Sequence, residues 1–363
     1  MAPKHSRLRS PRTAAAVTAA ALALVACSSG SSGSRSTPAN SQAPAAVTPA
    51  GATARPTPAV PSSVPGGTTL RVADQLQALE QELAAEGQNT GFPNAVQYSN
   101  FVGGPPMLQA FQAGAVDVGF VADTPLIFAQ AAHQNVVGVA AWAPQHGSSE
   151  LVAAPGHVVR SWADLKGKKV AYQQGTLLEA VVLQGLHSVG LSLKDITSVN
   201  LPVTQVSVAL QGGSVDAGIL VEPLASVYLA QHPAATVVDR PDDITDRANF
   251  IIASKSALAN PAKAAAIADY IGRVERSLSW INTHQAQWAQ AFYVGQYKLP
   301  LAVGEQLLAR SGPVSFIDLP GPLPGPQQTL ADLYVDAGEI PARLDVTAEF
   351  DARFNSFVDA ARS

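Results

Sequence analysis

Apolar positions in the body of the chain follow two rhythms. Residues 69–73, 95–99 and 118–121 are short apolar runs of the kind that form buried strands, and residues 76–85 carry apolar side chains at helical spacing. The alternation predicts an α/β fold with a mainly parallel sheet. Further on, Asp164-Leu165-Lys166-Gly167-Lys168-Lys169 reads as a turn into the strand Val170-Ala171-Tyr172. Asn260-Pro261 reads as a helix start, with Asn as N-cap and Pro at the first position. Ile267, Tyr270, Ile271, Val274, Leu278 and Ile281 extend that helix on one face, and Trp280 and Trp288 are expected to pack in the core with it.

An internal repeat sets the architecture. Gly114-Ala115-Val116-Asp117-Val118-Gly119 leads through Phe120-Val121-Ala122 to Asp123, and Gly213-Ser214-Val215-Asp216-Ala217-Gly218 leads through Ile219-Leu220-Val221 to Glu222. Each copy reads as a helix, a turn and a strand ending in an acid, with Gly114 and Gly213 suited to left-handed caps. The plainer reading is a common helix-to-strand turn that occurs twice by chance; the sharper one is two similar α/β lobes in one chain. The expected division is residues 67–148 for the first part of lobe 1, 149–245 for lobe 2, and 246–363 for the return to lobe 1 with C-terminal helices. Two crossings leave a cleft, and ligands of open α/β sheets bind outside the carboxyl ends of the strands.

The beginning of the chain has another composition. Lys4, Arg7, Arg9 and Arg12 precede an uncharged stretch at residues 13–26, shorter than the roughly 20 residues a membrane-spanning helix needs. Residues 1–26 read as a signal peptide. The stretch closes on Leu24-Val25-Ala26-Cys27, which resembles a bacterial lipobox, so Cys27 is expected to carry lipid and to begin the mature chain. It is the single cysteine, which rules out an internal disulfide. Residues 27–66, rich in Ser, Gly, Pro, Ala and Thr, are expected to be a disordered tether reaching about 35 Å.

Charge narrows the partners. Six of the 23 basic residues precede residue 67, and all 27 acidic residues follow it. The body is therefore acidic, with 17 basic residues against 27 acidic ones, and a nucleic-acid partner is not expected. No metal-type spacing and no cofactor motif is present.

The candidate binding residues sit where strands feed helix starts, whose free amides and dipole form an anion site. These are Asp74 and Gln75 after the first strand, Gly103 and Gly104 before Pro105-Pro106, Asp123 and Thr124 before Pro125, Ser148 and Ser149, Gly175 and Thr176, and Glu222 before Pro223. Simpler roles stand beside these. Thr176 with Glu179 would make a capping box, Asp123 would serve as an N-cap, and the Gly-Gly-Pro-Pro run as a tight turn. A carboxylate repels an anion, so Asp123, Glu222 or Asp74 would face an amine on a zwitterion such as taurine.

Three segments carry a family resemblance: Phe101-Val102-Gly103-Gly104-Pro105-Pro106-Met107-Leu108-Gln109-Ala110; residues 118–130 with Asp123-Thr124-Pro125-Leu126-Ile127-Phe128-Ala129-Gln130; and residues 162–171 around Lys166-Gly167-Lys168. They resemble the substrate-binding proteins of aliphatic sulfonate, taurine and nitrate importers. The resemblance implies a two-lobed periplasmic-binding-protein fold of type II that closes on a small anion or zwitterion. It also implies a monomer that delivers its ligand to an ABC permease and its ATPase, held by its lipid at the outer face of the cytoplasmic membrane. Two positions depart from the family pattern. Asp74-Gln75 runs straight into Leu76 with no glycine- or lysine-containing loop, and Val221 stands where the family often has Trp. The other readings are a ligand-free or sensor-type envelope protein, or a binder of nitrate, bicarbonate or a pyrimidine-type ligand. An enzyme is not expected: beyond Cys27 there is no cysteine, and no Gly-x-Ser-x-Gly elbow occurs.

Overall fold

The computed structural model describes residues 59–241, 244, 246 and 248–362. The expected signal segment, Cys27 and most of the tether lie outside the described residues.

The chain opens with β1 (Thr69–Gln75), α1 (Ala78–Glu86), β2 (Ala95–Phe101), α2 (Gly104–Gln112), β3 (Val118–Ala122), α3 (Asp123–Ala131) and β4 (Val136–Pro144). It continues with β5 (Ser149–Ala153), β6 (Lys169–Tyr172), α4 (Leu177–Ser188), β7 (Thr197–Asn200), α5 (Val203–Gln211), β8 (Ala217–Val221), α6 (Leu224–Gln231) and β9 (Thr236–Val238). Then follow β10 (Asn249–Ser254), α7 (Lys255–Leu258), α8 (Pro261–Thr283), α9 (Gln285–Trp288), a π-helical turn at Ala289–Val294, α10 (Leu301–Ser311), β11 (Val314–Ile317), α11 (Pro324–Ala337) and α12 (Asn355–Arg362).

Two sheets result. One has the order β11-β4-β10-β3-β1-β2, the other β7-β6-β8-β5-β9. They are mixed rather than mainly parallel. β1 runs parallel to β2 and β3, but β10 runs antiparallel to β3 and β4. In the second sheet β6 is parallel to β7 and β8, while β5 is antiparallel to β8 and β9. The antiparallel members β5 and β10 are the first strands after each passage between the sheets. A strand arriving from the other lobe enters at the cleft end, where the parallel strands finish, and so runs back against them.

The two repeat copies occupy equivalent places. Asp117 N–H donates to Arg71 O at 2.8 Å, and its carboxylate accepts Arg71 N–H at 3.0 Å. Asp216 N–H donates to Lys169 O at 2.9 Å, and its carboxylate accepts Lys169 N–H at 2.8 Å. Each aspartate thus clamps the start of the parallel strand beside it. The glycine two positions on lets the strands lie close: a Cβ at Gly119 would stand 2.7 Å from Ala73 O, and one at Gly218 3.2 Å from Ala171 O.

α8 starts as its sequence dictates, with Asn260 Oδ1 accepting from Ala262 and Lys263 N–H. Its buried face, including Ile267, Tyr270, Ile271, Val274, Leu278 and Ile281, covers the first sheet. Trp288 is buried in that core, and Trp280 packs against it half-buried. The second sheet has its own core around Trp162, Val170, Val181 and Ile219. α11 joins the two halves. Its Leu330, Ala331 and Tyr334 pack with Ile127 of α3 and with Ala180 and Leu183 of α4.

Candidate functional site

Between the sheets lies a cavity of about 280 Å³, near the low end for ligand pockets. Loops after β1, β2 and β3 form one wall, with Gln75, Leu76, Gly103, Gly104 and Pro125. Loops of the second sheet form the other, with Gln173, Thr176, Leu177, Leu178, Val203 and residues 221–224. Ser148, Asp246 and Asn249 contribute from the crossings. Phe292, Tyr293 and Tyr297 close one side.

The walls touch across the cleft. Gln173 Nε2 donates to Val102 O at 3.3 Å. Gly103 has φ +85°, and a Cβ there would stand 2.6 Å from Gln173 Nε2. Gly175 has φ +71°, and its Cβ would lie 3.3 Å from Pro105 Cγ. On the opposite rim Arg310 of α10 reaches two acids of the second sheet, Glu222 at 2.6 Å and Glu150 at 3.3 Å.

Of the residues expected at the site, Gln75, Gly103, Gly104, Ser148, Thr176 and Glu222 line the cavity, and Asp74, Asp123, Thr124, Ser149 and Gly175 do not. The reasons are local. Asp74 is 1 % exposed and points at the start of α1, accepting from Gln75, Leu79 and Glu80 N–H. Its carboxyl lies above the ordinary value because burial outweighs those bonds. Asp123 is the first residue of α3 and accepts from Thr124 N–H. Thr124 Oγ1 accepts from Tyr334 of α11, so this pair is turned toward α11. Ser149 begins β5, and its N–H donates to Asp246. Gly175 shapes the turn, and its N–H donates to Glu179 Oε2 at 2.8 Å. Thr176 Oγ1 accepts from Leu178 N–H, so the cap at α4 sits one position off the expected capping box.

The free helix amides expected around an anion are mostly taken. Asp74 caps α1, and Thr176 caps α4. Val203 N–H at the start of α5 donates to Gln173 Oε1, and Ser226 N–H in α6 donates to Glu222 Oε2. In α2, Pro105 and Pro106 have no N–H to give. No lining residue is Lys or Arg. Both acids on the wall are already paired, Glu222 with Arg310 and Asp246 with Arg240. The other polar side chains on the wall are neutral: the hydroxyls of Ser148, Tyr293 and Tyr297 and the amides of Gln75, Gln173 and Asn249, of which Gln75 Nε2 donates to Phe120 O at 2.8 Å and Gln173 Nε2 to Val102 O, each with a second N–H. Burial pushes both tyrosine hydroxyls up, so they stay protonated donors. Sequence reasoning missed Phe292, Tyr293 and Tyr297; its one available signal was their density just past a long helix.

Two mixed sheets, two crossings and an interlobe cavity define a bilobal solute-binding protein. Residues 102–286 match the family model for NMT1/THI5-like proteins, and the chain belongs to that family. It is 27 % identical over 280 residues to an Escherichia coli (strain K12) protein named for aliphatic sulfonate binding, a match covering 76 % of this chain and 86 % of the relative. The solved alkanesulfonate-binding protein of Xanthomonas axonopodis pv. citri, bound to MOPS, superposes with a TM-score of 0.72 at 26 % identity, covering 79 % of this chain and 99 % of that one. The nitrate-binding protein of Synechocystis PCC 6803, at 13 % identity and TM-score 0.62, covering 82 % and 89 %, shares the fold. The class is a substrate-binding protein of ABC-transporter type, not an enzyme. Among the described residues no helix is long and apolar enough to cross a membrane.

Proposed function

We propose that this chain is the extracytoplasmic receptor of an ABC importer and captures a small sulfonate. The observation that carries the reading is the cavity between the lobes, lined by neutral polar groups, apolar side chains and two acids already paired with arginines, in a chain related to sulfonate-binding proteins. A sulfonate presents three acceptor oxygens and a permanent negative charge. Ser148, Tyr293 and Tyr297 and the second N–H of Gln75 and of Gln173 would supply donors to it, and Leu177, Leu178 and Val221 the apolar surface for its organic part. Cys27 would hold the receptor at the membrane by its lipid, and a permease with its ATPase would take the ligand from the closed lobes.

The test is a thermal-melt panel of methanesulfonate, taurine, longer sulfonates, sulfate, nitrate and bicarbonate. A ligand at a hundred times its dissociation constant adds about 2.7 kcal/mol, which shifts melting upward by several degrees. Shifts with sulfonates and none with the inorganic anions are expected. A response to nitrate or bicarbonate alone would sink the sulfonate reading and leave the receptor class in place.

A further inference from the structure

Two acids stand on the cavity wall, Asp246 and Glu222, and they are neutralised in different ways. Asp246 is covered from its own neighbourhood. Arg240, six residues before it, holds both carboxylate oxygens, and Ser149 N–H donates to the same group. Glu222 is covered from the other half of the molecule. Ser226 N–H donates to its Oε2 at 3.0 Å, and Nη2 of Arg310 donates to its Oε1 at 2.6 Å.

Arg310 stands in the last turn of α10, a helix whose Leu308 packs in the core of the first sheet. Its Nη1 lies 3.3 Å from Glu150 of β5, so one guanidinium serves two acids of the second sheet. The side chain of Glu222 is 8 % exposed and that of Arg310 55 %. The acid is thus withdrawn from water while its cation keeps access to it. Both charges reach the cavity. Burial is the main cause that raises the Tyr293 hydroxyl on the wall; Glu222 is the next, and Arg310 works in the opposite direction. With no Lys or Arg lining the cavity, nothing else on the wall would offset Glu222.

We propose that Arg310 is a specificity-determining residue: by neutralising Glu222 from the opposite half, it lets the cavity accept an anion and leaves no bare carboxylate for an ammonium group. The site then prefers an amine-free anion to a zwitterion of the same size. This rests on the sulfonate reading for the anionic group. Arg310 does not line the cavity and acts through Glu222, as a positioning residue.

The experiment is calorimetric titration of the full chain with ethanesulfonate and with taurine, which carries one ammonium more. The wild-type chain should prefer ethanesulfonate. Arg310→Gln should weaken ethanesulfonate about tenfold or more, because like charges a few ångströms apart repel strongly even at an effective dielectric of about 20. Taurine should lose less, since its ammonium can face the uncovered acid. Arg310→Lys keeps the charge and should keep most of the wild-type affinity. Glu222→Gln keeps an acceptor for Ser226 and should bind ethanesulfonate at least as tightly as wild type. Added to Arg310→Gln, it should restore what that change removed. An Arg310→Gln chain that binds as wild type overturns the proposal. So does a loss equal for both ligands, or one that Glu222→Gln does not restore, because Arg310 would then only hold α10 in place. A wild-type preference for taurine overturns it too and leaves the sulfonate reading standing. A wild-type chain that binds neither ligand overturns the sulfonate reading and this proposal with it.

Discussion

The carboxylate of Asp117 binds a backbone amide and two cations at once. It accepts Arg71 N–H and both Nε and Nη2 of the same residue, and Lys263 Nζ at 2.7 Å. Burial works to raise this carboxyl, but the bonds from Arg71 and Lys263 outweigh it and hold it below the ordinary 3.8. Asp216 does the same work with His157 and Lys168 as partners. It too lies low, with burial opposed mainly by the Lys169 amide. Asp117→Asn should cost about 3 kcal/mol, the lower end for breaking a buried pair, because Arg71 and Lys263 keep access to solvent. Asp216→Asn should cost about 1.5 kcal/mol. Urea midpoints measure both. The sign with pH follows from the lowered values: this stability is complete above 3.8 and disappears as pH falls through the folded-state value, so the two substitutions should cost progressively less in acid. The repeat that carries these aspartates was legible in the sequence, from the glycine turn before each and the strand after, but the clamp each makes on a distant strand was not, because it is long-range. Nor was the place of Asp74. An acid at a strand end faces the cleft or the next helix according to the turn that follows, and Leu76 and Gln77, both at positive φ, swing α1 back over it.

At the scale of elements, α11 is the part whose environment is least like its sequence. It lies against three buried acids. Glu179 of α4 is fully buried, and its Oε1 has no hydrogen-bond partner. Gln327 on α11 donates to Asp123 O and to Glu349 Oε2. Burial is the main cause that pushes Glu179 and Asp123 up to about 7 and Glu349 to about 8. Such groups favour the folded state below their ordinary values, and that contribution disappears as pH rises through 7 to 8. The melting temperature of the full chain should therefore fall between pH 5 and 8. Glu179→Gln should remove a part of that slope on the order of 3 kcal/mol, with Glu349→Gln acting in the same direction. A melt series across pH checks it, and an unchanged slope in Glu179→Gln would show that its carboxyl stays ionised. The repeated strand-turn-helix units were readable one by one, as was α8 with its cap and apolar face. The aromatic wall was not, because Phe292, Tyr293 and Tyr297 reach the cleft from an element far along the chain, and only tertiary packing brings them there. Trp288 was expected in the core and is buried there.

For the molecule as a whole, the two halves meet backbone to side chain at Gly103 and charge to charge at Arg310. The proposed lipid anchor at Cys27 would stand apart from the binding body. Cys27→Ala should move the protein from the membrane fraction to the medium while leaving its ligand-dependent melting shift unchanged within error. Fractionation followed by the same thermal panel measures both, and continued membrane retention would remove the lipid-anchor proposal. The second sheet has a further property. It forms from one uninterrupted stretch, and its first and last strands lie side by side, with Leu151 opposite Val238 and Ala153 opposite Thr236. Entry and exit therefore sit at one place on one edge. Half of the binding cavity is a cassette: a related chain's version would fit between the same two ends without rethreading, so new specificities in this lineage would arise by exchange of a whole lobe as readily as by single substitutions.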